Sequence, residues 1–227
     1  MTLSELQVLI GALTNDPNHD RYTTSDINTE LDNTQDTWNL EAKILKQTTT
    51  ITVVSGTRRY ALSLFTQTPL SFSRVAHKGL DLKKKSKSYF DLYLYADIST
   101  INGTPTDFYI EAEDPSNQYI SLYPTPQDAD AGAYLVVETI VRHTPMSSST
   151  DVPFMLGAVS NSLLRPYDHG IAYHTAARLL ARDPSNENSK KSADYSRIGN
   201  IVLSDVVQVF KNLEHEEPPR MRGGRYF

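Results

Sequence analysis

Thr48-Thr49-Thr50-Ile51-Thr52-Val53-Val54-Ser55-Gly56-Thr57-Arg58-Arg59-Tyr60-Ala61-Leu62-Ser63 is where the pattern of this chain changes. Upstream of it, apolar residues recur at helical spacing. Here β-branched residues crowd together, and a Ser-Gly-Thr turn signal separates two runs that read as a hairpin. The strand character then persists. Ser71–His77, Asp107–Glu111, Tyr119–Tyr123 and Ala133–His143 all read as strands, with alternating or β-branched apolar residues. Tyr89–Tyr95 reads either as a strand or as a short helix following a run of lysines.

Helical patterns flank this β stretch on both sides. Leu3, Leu6, Leu9, Ile10 and Leu13 mark a first helix, stopped by Asn15-Asp16-Pro17-Asn18. Tyr22-Thr23-Thr24-Ser25-Asp26 is a start signal for a second, from about Ser25 to Leu45. Ile27, Leu31, Thr34, Trp38, Ala42 and Leu45 share one face of it, with Glu30, Asp32, Asp36 and Lys43 opposite. A linker, Met146–Asp151, lies between Pro145 and Pro153. Pro166 opens a third helix through Ile171, His174, Ala177 and Leu180 to Asp183-Pro184. The fourth starts within Ser185–Lys190 and carries the stripe Ile198, Ile201, Val202, Val206, Val209, Phe210 and Leu213. The expected class is α+β, a helical bundle core of about four helices with an inserted antiparallel β domain and an extended C-terminal arm. The expected segments are 1–47 (N-terminal helices), 48–150 (β domain), 151–214 (C-terminal helices) and 215–227 (arm).

The arm is Glu217-Pro218-Pro219-Arg220-Met221-Arg222-Gly223-Gly224-Arg225-Tyr226-Phe227. Pro-Pro and Gly-Gly exclude regular structure, and three arginines with two terminal aromatics are anchor-type residues. Such a segment serves a partner more than its own fold, which points to an assembly component rather than an enzyme.

Bulk chemistry narrows the function further. A net charge of −5 disfavours nucleic-acid binding as the main activity. There is no cysteine, which removes disulfides, thiolate chemistry and Cys-ligated zinc. No apolar run approaches the roughly 20 residues of a membrane helix, and Met1–Leu6 has no basic region of a secretion signal. No nucleophile elbow, Walker loop or dinucleotide-binding loop is present. His169 and His174 are five apart, on different helix faces, so the histidines read as packing and surface residues rather than metal ligands. Asp128-Ala129-Asp130-Ala131-Gly132 is superficially like a calcium loop but sits where a β-turn is needed and lacks a closing Glu. No catalytic residue, metal or cofactor is expected. Lys83, Lys84, Lys85 and Lys87 form the one basic run, and Arg58 and Arg59 stand at the hairpin. Each set is either a solvated loop or a contact with phosphate or with an acidic neighbour.

The succession of a Trp-bearing helix, a Thr-rich strand, a Ser-Gly turn and Arg58-Arg59-Tyr60-Ala61-Leu62 continues with Gly103-Thr104-Pro105-Thr106-Asp107-Phe108-Tyr109-Ile110. Ile120-Ser121-Leu122-Tyr123-Pro124-Thr125-Pro126 and Tyr134-Leu135-Val136-Val137-Glu138 follow. From about residue 3 to residue 213 this resembles the head-to-tail adaptor (connector) proteins of tailed bacteriophages, in particular the ring below the portal in short-tailed phages. The resemblance implies a structural virion protein at the neck, assembled in the host cytoplasm as a homo-oligomeric ring of about twelve copies. That ring would bind the portal protein above and tail or nozzle proteins below, and DNA would pass without sequence-specific contact. The arm, Pro218 to Phe227, would reach the portal. Asp32, Asp36 and Glu41, or loops of the β domain, are candidates for the channel wall. Another neck or tail component, a tail-completion or tail-tube-proximal protein, is the alternative; an enzyme such as a polymer hydrolase fits least.

Overall fold

Capping fixes where the first two helices begin. Thr2 accepts the Glu5 backbone N–H while the Glu5 side chain accepts that of Thr2, and Thr23 and Asp26 repeat this box. Helix α1 therefore spans Leu3–Leu13 and α2 spans Thr24–Ala42, closed by Lys43 at φ +52°. A computed structural model of the chain describes residues 1–65, 67, 69–93, 101–112, 118–156, 162–183 and 185–215. It comprises two compact units, Met1–Leu45 with the chain from His143 onward, and Lys46–Arg142.

The first unit is helical. A short 3-10 turn, Ser162–Tyr167, contains Pro166 and leads into a helix over Asp168–Ala181; the last helix spans Asn186–His215. With Lys87–Tyr93 of the other unit counted as α3, these two are α4 and α5. α4 lies along α5 and also touches α1 and α2. The α2 stripe is buried as its spacing requires: Ile27, Leu31, Thr34, Trp38 and Ala42 all face inward. Trp38 is the largest fully buried side chain, and its Nε1–H donates to His174 Nδ1 at 2.7 Å. His174 Nε2 then lies 3.1 Å from Asn200 Oδ1, so the neutral ring with hydrogen on Nε2 satisfies both contacts. Burial pushes the His174 pKa down, as that neutral form requires.

Close approach of α4 and α5 depends on two glycines. A Cβ on Gly170 would lie 2.7 Å from Trp38 Cη2 and 2.5 Å from Val202 Cγ1, and one on Gly199 would overlap the His174 ring. Gly→Ala inside an exposed helix stabilises by about 1 kcal/mol. For Gly199→Ala we expect the opposite sign, a loss of about 2 kcal/mol in chemical denaturation, because overpacking outweighs propensity. A gain in stability would show that the ring can step aside.

The stretch read as a linker is pinned down instead. Met146 is buried, Leu3 N–H donates to the Asp151 carbonyl at 2.7 Å, and Ser4 N–H donates to that of Ser149 at 3.2 Å. The Asp151 carboxylate accepts the N–H groups of Ser147 and Ser148. Pro, Ser and Thr gave this segment a loop signal, but its polar backbone is satisfied by α1 and by its own turn.

Among its described residues the second unit carries two four-stranded sheets beside α3. β1 (Lys46–Thr52), β8 (Tyr134–Val141), β3 (Pro69–His77) and β4 (Leu80–Asp81) lie in that order in one. β2 (Arg59–Ala61), β7 (Gln118–Tyr123), β6 (Asp107–Ala112) and β5 (Lys83–Lys84) form the other. Pairing is antiparallel except for the short β5–β6 contact. Ile51, Val53, Val75, Leu135 and Val137 of the first sheet share one core with Tyr60, Phe108, Ile120 and Leu122 of the second. The expected hairpin across Ser55-Gly56-Thr57 does not form. β1 pairs with β8, and β2 pairs with β7 through Arg59↔Ser121. Gly56, at φ +72°, turns the chain from one sheet to the other, and Tyr60 Oη ties the corner by accepting Val54 N–H at 3.1 Å. Ile51, Val53 and Tyr60 can then cover one core from opposite sides, which a ladder would forbid. Tyr89–Tyr95, ambiguous in sequence, is helical through Tyr93; residues 94 and 95 lie outside the described residues.

Candidate functional site

The six basic positions singled out from the sequence do not form one patch. The register places Arg59 opposite Ser121 and Ser121 opposite Tyr109, with Glu111 two residues further along the same face. Arg59 consequently reaches Glu111 through both Nε, at 2.9 Å, and a terminal nitrogen, at 2.7 Å. Lys87 Nζ lies 3.2 Å from the same carboxylate, and Ser121 Oγ donates to it at 3.1 Å. Glu111 is only 5 % exposed. Burial raises its pKa, but the hydrogen bonds from Arg59, Lys87 and Ser121 prevail and hold it below the ordinary carboxylate value. Two of the six cations are thus engaged within the fold by one carboxylate, which offsets one of their two charges. A third, Lys85, places its Nζ 4.4 Å from the centre of the Tyr89 ring.

Arg58, Lys83 and Lys84 make no side-chain hydrogen bond or ion pair among the described residues, and the charge of Arg58 bears on the Tyr109 hydroxyl. They stand at opposite margins of the sheet, Arg58 ahead of β2 and the lysines on β5. Three strand spacings, about 14 Å, separate those margins, more than the Debye length of about 8 Å at physiological salt. They act as separate contacts rather than as one field. Arg58 and Arg59 border an open depression of about 460 Å³ with Gly56, Thr57 and Thr125.

For Glu111→Gln we expect a loss of about 1–2 kcal/mol at neutral pH, since Arg59 is partly exposed and recovers some hydration. The folded-state pKa is lowered, so the contribution is present above the unfolded value and lost as pH falls through the folded one. Thermal melts should differ most near neutrality and converge in acid. Equal melting temperatures at pH 7 would mean that the carboxylate does not stabilise the fold.

Of the acidic candidates for the channel wall, Glu41 is exposed, while Asp32 and Asp36 are engaged. Asp32 and Asp36 each place Oδ1 3.1 Å from a ring nitrogen of buried His143. Glu30, on the face expected to be polar, is buried against Arg182 and Arg178. The Asp128–Asp130 turn holds no ligand cradle: Ser55 donates to Asp128, and buried Asp130 accepts Lys78 Nζ at 2.8 Å beside His77. Burial raises the Asp130 pKa, but the bonds from Lys78 and His77 bring it below its usual value. Sequence reasoning missed Glu111, whose one signal was a carboxylate within a strand of apolar and aromatic neighbours, and it considered Asp130 only as part of a calcium-like loop. Among the described residues no group of three or more His, Asp or Glu side chains is placed to hold a metal ion, and no helix is long and apolar enough to cross a membrane. The arm residues Pro218, Pro219, Arg220, Met221, Arg222, Gly223, Gly224, Arg225, Tyr226 and Phe227 lie outside the described residues.

The chain presents a helical unit, an inserted pair of sheets and charged groups tied into the fold. No curated protein matches it. The family model described as SU10 adaptor protein matches residues 1–209, nearly the whole chain. The chain therefore belongs to the SU10 adaptor protein family, the structural head-to-tail adaptors of phage virions.

Proposed function

We propose that this adaptor assembles as a ring of about twelve copies beneath the portal, extends the DNA channel and gives the tail its attachment platform. The observation that carries the reading is the family match over residues 1–209. The net charge of −5 supports it, because DNA has to slide past a channel wall rather than adhere. Pairing of Arg59 and Lys87 with Glu111, which offsets one of their two charges, works in the same direction. Arg58, Lys83 and Lys84 are then available to acidic groups on a neighbouring copy or to phosphate.

The arm, Pro218 to Phe227, lies beyond the matched residues and is the segment for portal docking. Arg220, Arg222 and Arg225 supply bidentate donors for portal carboxylates, and Tyr226 and Phe227 supply apolar anchors. The tail or nozzle proteins bind the opposite side of the ring. The protein acts at the virion neck, after assembly in the host cytoplasm, and catalyses no reaction. Cryo-electron microscopy of the intact particle tests this directly. We expect twelvefold density for this chain under the portal, with residues 217–227 continuing into portal density. Density for the chain elsewhere in the tail would remove the portal-ring assignment.

A further inference from the structure

Three of the four sheet edges in the Lys46–Arg142 unit carry features that discourage pairing with a foreign strand. β4 and β5 are two residues long and β2 is three. β5 consists of lysines, β2 begins at Arg59, and β4 ends at Asp81, which holds Arg74 at 2.7 Å. β1 has none of these. It runs seven residues, Lys46-Gln47-Thr48-Thr49-Thr50-Ile51-Thr52, with no proline, no glycine and no charge after Lys46.

The direction of its backbone groups follows from two contacts. Val53 N–H donates to the Ala133 carbonyl at 2.8 Å, and the Gln47 carbonyl accepts Thr139 Oγ1 at 3.3 Å. Both contacts run toward β8. In an antiparallel ladder the N–H and C=O of one residue point to the same side and alternate along the strand. Gln47, Thr49 and Ile51 therefore bond to β8, while the N–H and C=O of Thr48, Thr50 and Thr52 point away from it. Those three residues are exposed, and β8 is the only strand paired with β1 among the described residues.

We infer that β1 is a docking edge for an extended, uncharged segment donated by another protein of the particle, held main chain to main chain as an added strand. The threonine row sets the chemistry of the occupant. With no charge between Gln47 and Thr52, nothing on the edge compensates a charged neighbour, whereas β-branched and hydroxyl side chains pair well across strands. A second copy fits less well. Among the described residues the other long open stretch is β3 from Pro69 to Arg74, beyond its two-residue pairing with β4. It begins at proline and shifts register twice against β8, irregularities that discourage an added strand, so two copies would meet β1 to β1 about a two-fold axis. A ring built by one rotation axis contains no such two-fold. A ladder of that length is about 23 Å long and buries far less than the roughly 1,000 Å² expected of a stable pair of free proteins. A weak strand contact repeated around a ring gains instead from multivalency. The inference rests on the ring reading above.

Amide hydrogen exchange on the isolated protein at micromolar concentration and on purified particles tests it. In the isolated protein the Thr48, Thr50 and Thr52 amides should exchange fast while Thr49 and Ile51 are protected. In particles the three should slow by at least about 100-fold. Thr50→Pro removes one outward donor without touching the β8 ladder, and edge strands tolerate proline. It should melt like the parent and lose the added protection at Thr48 and Thr52 in particles. Fast exchange of the three amides in particles overturns the inference and leaves the adaptor reading standing. Protection already present in the isolated protein, with sedimentation as a dimer, makes a second copy the occupant and overturns it too. Protection that persists in Thr50→Pro particles excludes strand addition. Absence of the chain from purified particles removes the adaptor reading itself.

Discussion

Trp38→Ala is expected to lower the unfolding free energy by about 3–5 kcal/mol. Small domains have only about 5–15 kcal/mol in hand, so this one change removes a large share of the total. Several effects act together. The indole is fully buried where α2, α4 and α5 meet, and its removal leaves a cavity. Its edge-on contact with His174, with ring centres 5.7 Å apart, is lost. His174 Nδ1 loses its donor, and an unpaired buried acceptor carries its full desolvation penalty. Trp38→Phe separates the terms, because it keeps most of the apolar area and deletes only the Nε1–H donor; a loss of about 1–3 kcal/mol is expected for it. Denaturant midpoints followed by circular dichroism provide the measurement, since Trp38 is the sole tryptophan and the tryptophan fluorescence is lost with it. A midpoint unchanged by Trp38→Ala would show that the helical unit does not depend on this contact.

Removal of residues 217–227 is expected to do the reverse, leaving the melting temperature unchanged and abolishing attachment to filled heads. All elements of the described fold end by His215, so truncation beyond it leaves each of them whole. The lost segment contains three arginines and two terminal aromatics. In the proposed ring of about twelve copies each later arm contact is intramolecular, so affinity is expected to collapse as a whole rather than in proportion. Replacing Arg220, Arg222 and Arg225 by Ala should weaken attachment and reduce its salt sensitivity, because charge-assisted bonds are what salt screens. Truncated protein recovered on filled heads in parental amounts would show that portal docking lies elsewhere in the chain.

Helix positions were legible because a period of 3.6 residues is a local property. Ile27 to Ala42 fall on one face whatever α2 packs against, and capping residues stand beside the boundaries they set. Strands were legible for the same reason, but their partners were not. β1 and β8 lie far apart in sequence, and nothing near Thr48 encodes its partner Glu138. The hairpin expectation failed because a turn signal shows that the chain reverses without showing whether it stays in one sheet. Charges were the least legible group. Arg58 and Arg59 are adjacent, yet Arg59 is bound by Glu111 across an intervening strand and Arg58 is not. Adjacent strand residues face opposite sides, so which of them meets a buried carboxylate is decided by register.

One pairing has a consequence for how such a protein can change. Lys46 enters the two-sheet unit directly opposite Ile140, and the chain leaves that unit two residues later, after Arg142. Paired residues on neighbouring strands have Cα atoms about 5 Å apart. Seen from the helical unit, codons 46–142 occupy the footprint of a single tight loop. Recombination can therefore exchange that block between genomes as one cassette, provided the incoming module also begins and ends on neighbouring strands. The helices would inherit the new module without any rerouting of their own chain.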